Sequence, residues 1–263
     1  MRRSWTSLVY LYILAVVLFI LGPVLIIIPQ SFSGGDMFSF PPSEFSLAQY
    51  QKLLQDERIL ASLWLSLSIG AASTVLAGLI GLCAALGIVK GNLPAKNLLE
   101  SLFLGPLIVP LVTTGIGFLI LFVPLGLVGS PLGIVLAHTV VISPYVVRIL
   151  IATLRHFNPV QEEAAIVHGA DSWYAFRTVV LPQLLPALLS GAILAFLVSL
   201  DEYTVTVFLA QADTVTIPIR IYQYVSLDIN PVVTALASLT VILSFGLIVL
   251  LEKRFKIHKY LEM

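Results

Sequence analysis

The chain has 263 residues, 59% of them hydrophobic and 11% charged, with no formal net charge and a mean hydropathy of +1.03. Soluble domains carry roughly 25% charged residues, so this composition excludes an ordinary soluble enzyme or nucleic-acid-binding module and places the chain in a bilayer. The lone Cys83 cannot form an internal disulfide; His138, His156, His168 and His258 lack metal-ligand spacing; and no G-x-x-x-x-G-K-[ST] loop is present, so neither a metal nor ATP is expected on this chain.

Residues 8–28 form an uncharged apolar run after Arg2 and Arg3, long enough to cross a bilayer that needs about 20 apolar residues. A cleaved signal has a shorter apolar core and a small-residue cleavage site, so the run is read as a retained first span. From residue 30 to about 61 the chain turns polar, with Gly34-Gly35 and Pro41-Pro42 marking irregular backbone. Ser46 and Gln49 form a plausible capping box ahead of Leu47, Tyr50, Leu53 and Leu54, spaced for one face of a surface helix.

Residues 62–89 carry no charge and form the second span, with Gly70, Gly78, Gly81 and Gly87 favouring close helix approach in lipid. A short polar turn contains Lys90 and Lys96. The uncharged stretch 101–147 is too long for one crossing and is split by Pro and Gly near residues 124–131, giving two spans, the earlier of them kinked by Pro106 and Pro110. His138 lies inside the second of these and is read as a hydrogen-bonding partner for a neighbouring helix.

The polar stretch 158–182 follows. Asn158 suits an N-cap, Pro159 the first helical position, and Gln161 the residue that reaches back to the cap. Glu162 and Glu163 fall near the positive end of this helix, and Ala164-Ala165 keep its surface thin. Gly169 can take a left-handed turn, Asp171 can cap a second short helix through Phe176 and Arg177, and Pro182 marks a break. A bent pair of short helices is expected.

Residues 178–209 give the fifth span, a polar segment runs to Asn230, and residues 231–251 give the sixth. With the N-terminus inside, eleven of the fourteen Lys and Arg lie inside, and only Lys52, Arg58 and Arg220 lie outside, as the positive-inside rule favours. Both termini and the 158–182 stretch are therefore expected in the cytoplasm. Asp201-Glu202 is the clearest anomaly within a span, since intramembrane carboxylates are costly and are functional candidates by default. About 20 residues beyond Pro182 at 1.5 Å per residue, the pair sits nearer the outer face than the midplane. Either one carboxylate faces a pathway for a cationic solute, or both are bonded to neighbouring helices or water.

Glu163-Ala164-Ala165, then Gly169, Val179 and Leu181-Pro182, resembles the EAA motif of permease subunits in bacterial binding-protein-dependent ABC importers. The Ser199-Leu200-Asp201-Glu202 segment, Ile217-Pro218-Ile219 and the residue 45–54 helix are similar to those of the spermidine/putrescine-type permeases. The resemblance implies an all-α polytopic protein with six transmembrane helices and a cytoplasmic coupling-helix loop, the ABC type I importer permease fold, over a single domain spanning 1–263. It implies that Glu162, Glu163, Ala164, Ala165, Gly169, Leu181 and Pro182 couple the chain to a cytoplasmic ABC ATPase dimer that holds the ATP and Mg. It further implies a second permease subunit, usually a different chain, a periplasmic solute-binding protein, and an inner-membrane location. The solute expected is a polyamine such as putrescine or spermidine, with another amino compound or an aminophosphonate as the alternative. An ion-coupled secondary transporter using Asp201 and Glu202, or a scaffold with no pathway, are the readings from other classes; the EAA spacing weighs against both.

Overall fold

A computed structural model describes residues 2–35, 40–42, 44–228 and 231–255. Asn230 and the tail residues Lys256 and Lys259 lie outside the described residues. Among those described, regular structure is helical, with one isolated bridge between Ser33 and Phe45. The helices are α1 (Arg2–Gln30), α2 (Ala48–Gln55), α3 (Glu57–Val89), α4 (Lys96–Leu104), α5 (Leu111–Phe122), α6 (Pro131–His156), α7 (Val160–Val167), α8 (Ser172–Ala175), α9 (Leu181–Leu200), α10 (Thr206–Leu209), α11 (Ile217–Gln223) and α12 (Val232–Phe255). The chain divides into two compact units, Met1–Ala61 with Arg220–Gly246, and Ser62–Ile219 with Leu247–Met263.

In the first unit, the apolar window of α1 is 0% buried, so its side chains are free to meet lipid or another subunit. Polar contacts instead organise the segments around α2. The Tyr50 hydroxyl meets Ser31 Oγ at 2.8 Å and donates to Ser238 Oγ at 3.3 Å. The expected capping box does not form. Ser46 Oγ accepts from the Ala48 amide, but Gln49 is fully buried and donates to the Gly35 carbonyl at 3.0 Å, so its amide is spent on a tertiary contact and not on the cap. Of the expected apolar face only Leu53 is buried, while Leu47 and Leu54 are exposed.

At the end of α2, the Tyr224 hydroxyl donates to Asp56 Oδ2 at 2.6 Å. Burial pushes the Asp56 carboxyl up, but the Tyr224 hydrogen bond, the Arg58 and Ile59 amides and the Arg58 charge together hold it below its ordinary value. Burial, and then the Asp56 carboxylate, raise the Tyr224 phenol.

The second unit is built on α6, whose Ile134, Ala137, Ile142, Val146, Val147 and Leu150 are buried. Close approach is set by glycine on both sides of Val146. A Cβ on Gly81 of α3 would lie 2.8 Å from Val146 Cγ1, and one on Gly191 of α9 would lie 3.3 Å from Val146 Cα. Small residues of this kind let helix backbones approach where lipid supplies no hydrophobic drive.

Among the described residues, five helices are long and apolar enough to cross a membrane, or six if one bent pair is counted as a single span. That pair is Lys96–Leu107 with Leu111–Phe122, meeting at 99°, far beyond the expected kink. Pro106 and Pro110 each remove an amide donor, and Pro110 adopts an extended ψ of 132°, so the helix is broken and turned. The fifth helical run also differs from expectation. It is continuous over Ser172–Leu200 and ends at Asp201, leaving α10 as a separate turn. Pro182 does not break it, because the missing amide is absorbed by a π-turn over Phe176–Val180, a register in which carbonyls pair five residues on.

Candidate functional site

The helix pair at one end of the second unit forms as its local sequence dictates. Asn158 Oδ1 accepts from the Val160 amide at 3.1 Å, and Asp171 Oδ1 accepts from the Tyr174 amide at 2.8 Å. Gly169 has φ +96°, with its amide bonded to the Ile166 carbonyl and the Ala170 amide to the Ala165 carbonyl. This pairing is the Schellman termination, whose left-handed residue favours glycine. Gln161 does not reach back to the cap; its Oε1 accepts from Gln183 Nε2 at 2.7 Å, which ties α7 to the start of α9.

The two glutamates separate in role. Glu162 is paired with Lys90 at the end of α3, and Lys90 Nζ also lies 4.9 Å from the Phe157 ring centroid. Glu163 and Ala164 are exposed, Ala165 and Leu181 half-buried, and Gly169 and Pro182 exposed. A second ion pair, Arg155 to Glu100 at 2.6 Å, joins the end of α6 to α4. Each pair is partly exposed and on its own contributes about 0–1 kcal/mol; their effect is to fix where the loop leaves the helices.

The outer surface of this helix pair is apolar. Val160 is 61% exposed, Val167 84%, Trp173 69% and Tyr174 60%, and Trp173 stacks on Phe176 at 5.6 Å. Sequence reading singled out the EAA residues and missed this face, together with Lys90, Glu100 and Arg155. A period-3.6 count of α7 through α8 was the available signal, obscured by the turn at Gly169.

The second polar site is the elbow between α9 and α10. Glu202 is 5% exposed. Its Oε1 accepts from the Val205 amide at 2.9 Å, and its Oε2 from the Thr206 amide at 3.0 Å and the Thr206 hydroxyl at 2.8 Å. His138 of α6 bonds Thr206 Oγ1 through Nε2 and Ser199 Oγ through Nδ1, both at 2.7 Å. The donor count orders the chain: a carboxylate only accepts, so the Thr206 hydroxyl donates to it and accepts from His138 Nε2–H, leaving Nδ1 to accept from Ser199. Every buried polar atom of this group has a partner, which a buried carboxylate requires. The elbow is therefore locked to α6.

Asp201, the neighbouring acid, is exposed and its carboxylate makes no hydrogen bond or ion pair among the described residues. It borders a cavity of about 510 Å³ together with Glu202, Tyr145 and the broken-helix residues Pro106, Leu107 and Val109. The adjacent acids that the sequence presents as one feature are thus two features.

Residues 77–257 match the family described as binding-protein-dependent transport system inner membrane component. The chain is similar to the putrescine transport system permease protein PotI of Escherichia coli (strain K12), at 32% identity over 84% of this chain and 81% of that one. It is also similar to the spermidine/putrescine transport system permease protein PotC of Haemophilus influenzae, at 27% identity over 95% and 94% of the two chains. Its fold resembles a chain of a bacterial ABC transporter involved in the import of the acidic polysaccharide alginate, with a TM-score of 0.77 at 18% identity, covering 96% of this chain and 97% of that one.

Proposed function

The chain belongs to the binding-protein-dependent transport system inner membrane components, the permease subunits of ABC importers, and from that premise we propose that it carries polyamines such as putrescine and spermidine into the cell. The names of its relatives support that solute class. The observation that carries the coupling role is the exposed apolar face of α7 and α8, presented on a loop pinned to α3 by the Lys90–Glu162 ion pair. An apolar patch rimmed by polar residues marks a docking surface, and here its partner is a cytoplasmic ABC ATPase dimer that holds ATP and Mg. A second permease subunit, a different chain, and a periplasmic solute-binding protein complete the assembly, with both termini of this chain cytoplasmic and the whole chain acting as one transmembrane domain.

In this mechanism the loaded binding protein docks outside, and closure of the ATPase dimer moves α7. Lys90–Glu162 passes that movement to α3, and Gln161–Gln183 passes it to α9. Glu163, Ala164 and Ala165 form the contact with the ATPase, Gly169 holds the bend, and Leu181-Pro182 join the bend to α9. The solute pathway opens outward, and after hydrolysis it releases inward. Asp201 is the member of the acidic pair that faces the pathway, while Glu202 holds the elbow beside it.

Uptake of labelled putrescine and spermidine, by cells expressing this chain with its partner subunits, tests the reading. Uptake that requires ATP and is lost in Glu163→Lys is the expected result. Uptake unaffected by that substitution, in correctly inserted protein, contradicts the coupling role; absence of polyamine uptake in the parent contradicts the solute.

A further inference from the structure

The cavity beside Asp201 has the chemistry of a cation site. Its volume of about 510 Å³ lies within the ~300–1,000 Å³ typical of small-ligand pockets. Among the described residues that line it, none is Lys, Arg or His, while two are acidic. Glu202 is already occupied, since both its oxygens accept from α10 amides and the Thr206 hydroxyl. Asp201 supplies the open carboxylate.

The broken third span contributes next. Between the turn Gly105–Leu107 and α5, the Ile108 and Val109 amides both bond the Gly105 carbonyl, and the Thr114 amide bonds that of Pro110. Among the described residues, no backbone amide donates to the carbonyls of Pro106, Leu107 and Val109, all residues of the cavity wall. Unwound carbonyls of interrupted membrane helices are ready acceptors for cations. The α5 amides that open at the same break carry about half a unit of positive charge at most, less than the full charge of Asp201. Tyr145 adds an aromatic ring to the wall, and cations are attracted to aromatic faces.

We propose that this cavity is a binding site within the membrane subunit for a primary ammonium group, with Asp201 as its anionic contact, the broken-helix carbonyls as further acceptors, and Glu202 as the positioning residue that fixes the elbow. The proposal deepens the polyamine reading and rests on it for the identity of the solute, but the electrostatic character of the cavity can be measured separately. It would make the membrane subunit discriminate by charge, in addition to any selection made by the binding protein.

The test uses the full transporter in membranes. Cys83 is exposed and is replaced by Ala, and a cysteine is placed at the cavity wall as Thr204→Cys, with Val198→Cys as a second position. Modification rates are compared for a cationic reagent, aminoethyl methanethiosulfonate, and an anionic one, sulfonatoethyl methanethiosulfonate, each corrected for its rate with a free thiol and read on this chain after separation. Fields in charged clefts raise local counter-ion concentration by about tenfold or more, so the cationic reagent is expected to react about tenfold faster. Asp201→Asn should bring the ratio to near one, and putrescine should slow the cationic reaction. A ratio near one with Asp201 present, or a ratio indifferent to Asp201→Asn, at both labelling positions overturns the site. A preserved ratio without protection by putrescine, and without putrescine uptake, supports the cation site and rejects the polyamine reading; putrescine uptake with a ratio of one does the reverse.

Discussion

Around Gly169 the chain exposes apolar side chains at the end of its helices, whereas around Glu202 it buries polar ones between them. Val167 and Trp173 are left 84% and 69% exposed on a loop closed by its own caps at Gly169 and Asp171. Among the described residues nothing covers these groups, and on the proposed coupling role their cost in water is recovered on docking. Glu202, His138, Ser199 and Thr206 satisfy one another, and that closed network holds an elbow rigid without help from outside. On the proposed function the first region is completed by another protein; the second satisfies itself and presents Asp201. The contrast separates the proposed coupling surface from a structural lock, although both announce themselves in sequence as charged residues next to apolar runs.

The largest effect should follow from opening the lock. Glu202→Ala leaves the Val205 and Thr206 amides without their acceptor and takes the carboxylate from the Thr206 hydroxyl that receives His138 Nε2–H, and unpaired buried groups of this kind cost about 3 kcal/mol or more. Thermal unfolding of the purified assembly should show a clear loss of stability, or the chain should not be recovered at all. Asp201→Asn should stay within about 0.5 kcal/mol of the parent, as expected of an exposed position. Equal losses at the two acids would dissolve the distinction between them.

Next comes the bend of the coupling loop. Gly169→Val places a β-branched residue at φ +96°, at a local cost of about 1–2 kcal/mol. Membrane insertion should be normal by surface labelling, while putrescine uptake falls by about tenfold, because a change of this size shifts a conformational ratio that far. Retained uptake would show that the turn is dispensable for coupling. A smaller effect is expected at the strut beneath it. Lys90→Glu and Glu162→Lys should each weaken uptake, by no more than the ~1 kcal/mol of an exposed pair, and the double swap should restore it. Additive losses in the double variant would show that the two residues act independently.

The smallest effect is expected at the Asp56–Tyr224 contact, a partly exposed polar pair between the two extremes. Asp56 is held below 3.8, so its contribution is present above that value and is lost as pH falls through its folded pKa. Tyr224 is held above 10.0, so its contribution is present below that value and is lost as pH rises through its folded pKa. Tyr224→Phe should therefore destabilise by about 1 kcal/mol or less, evenly across pH 5–9, and the difference from the parent should shrink in acid below the depressed Asp56 value. A difference that grows in acid would contradict this pairing.

Hydropathy and turn chemistry made much of the architecture readable from sequence. Asn158, Gly169 and Asp171 take the capping roles that their types favour, and the apolar runs become helices. What escaped depends on residues distant in sequence. Gln161 and Gln49 satisfy the capping pattern, but Gln161 accepts from Gln183 and Gln49 donates to the Gly35 carbonyl, because tertiary partners outcompete the local one. Pro182 looks like a helix breaker, yet a π-turn carries the helix through it. Pro106 and Pro110 look like a kink and produce a 99° turn. The different fates of Asp201 and Glu202 were also hidden, since the network that encloses Glu202 draws on His138, 61 residues from Ser199 in the chain.

The most direct test of the central claim is to charge the exposed face of α7 and α8 without touching the EAA residues. In a Val167→Glu, Trp173→Glu double variant reconstituted with its partner subunits, co-purification of the ATPase and ATP-driven uptake of labelled putrescine are measured together, with insertion checked by surface labelling. Loss of both from a correctly inserted chain is the predicted result. Full retention of the ATPase and of uptake would contradict the assignment of this face as the coupling surface.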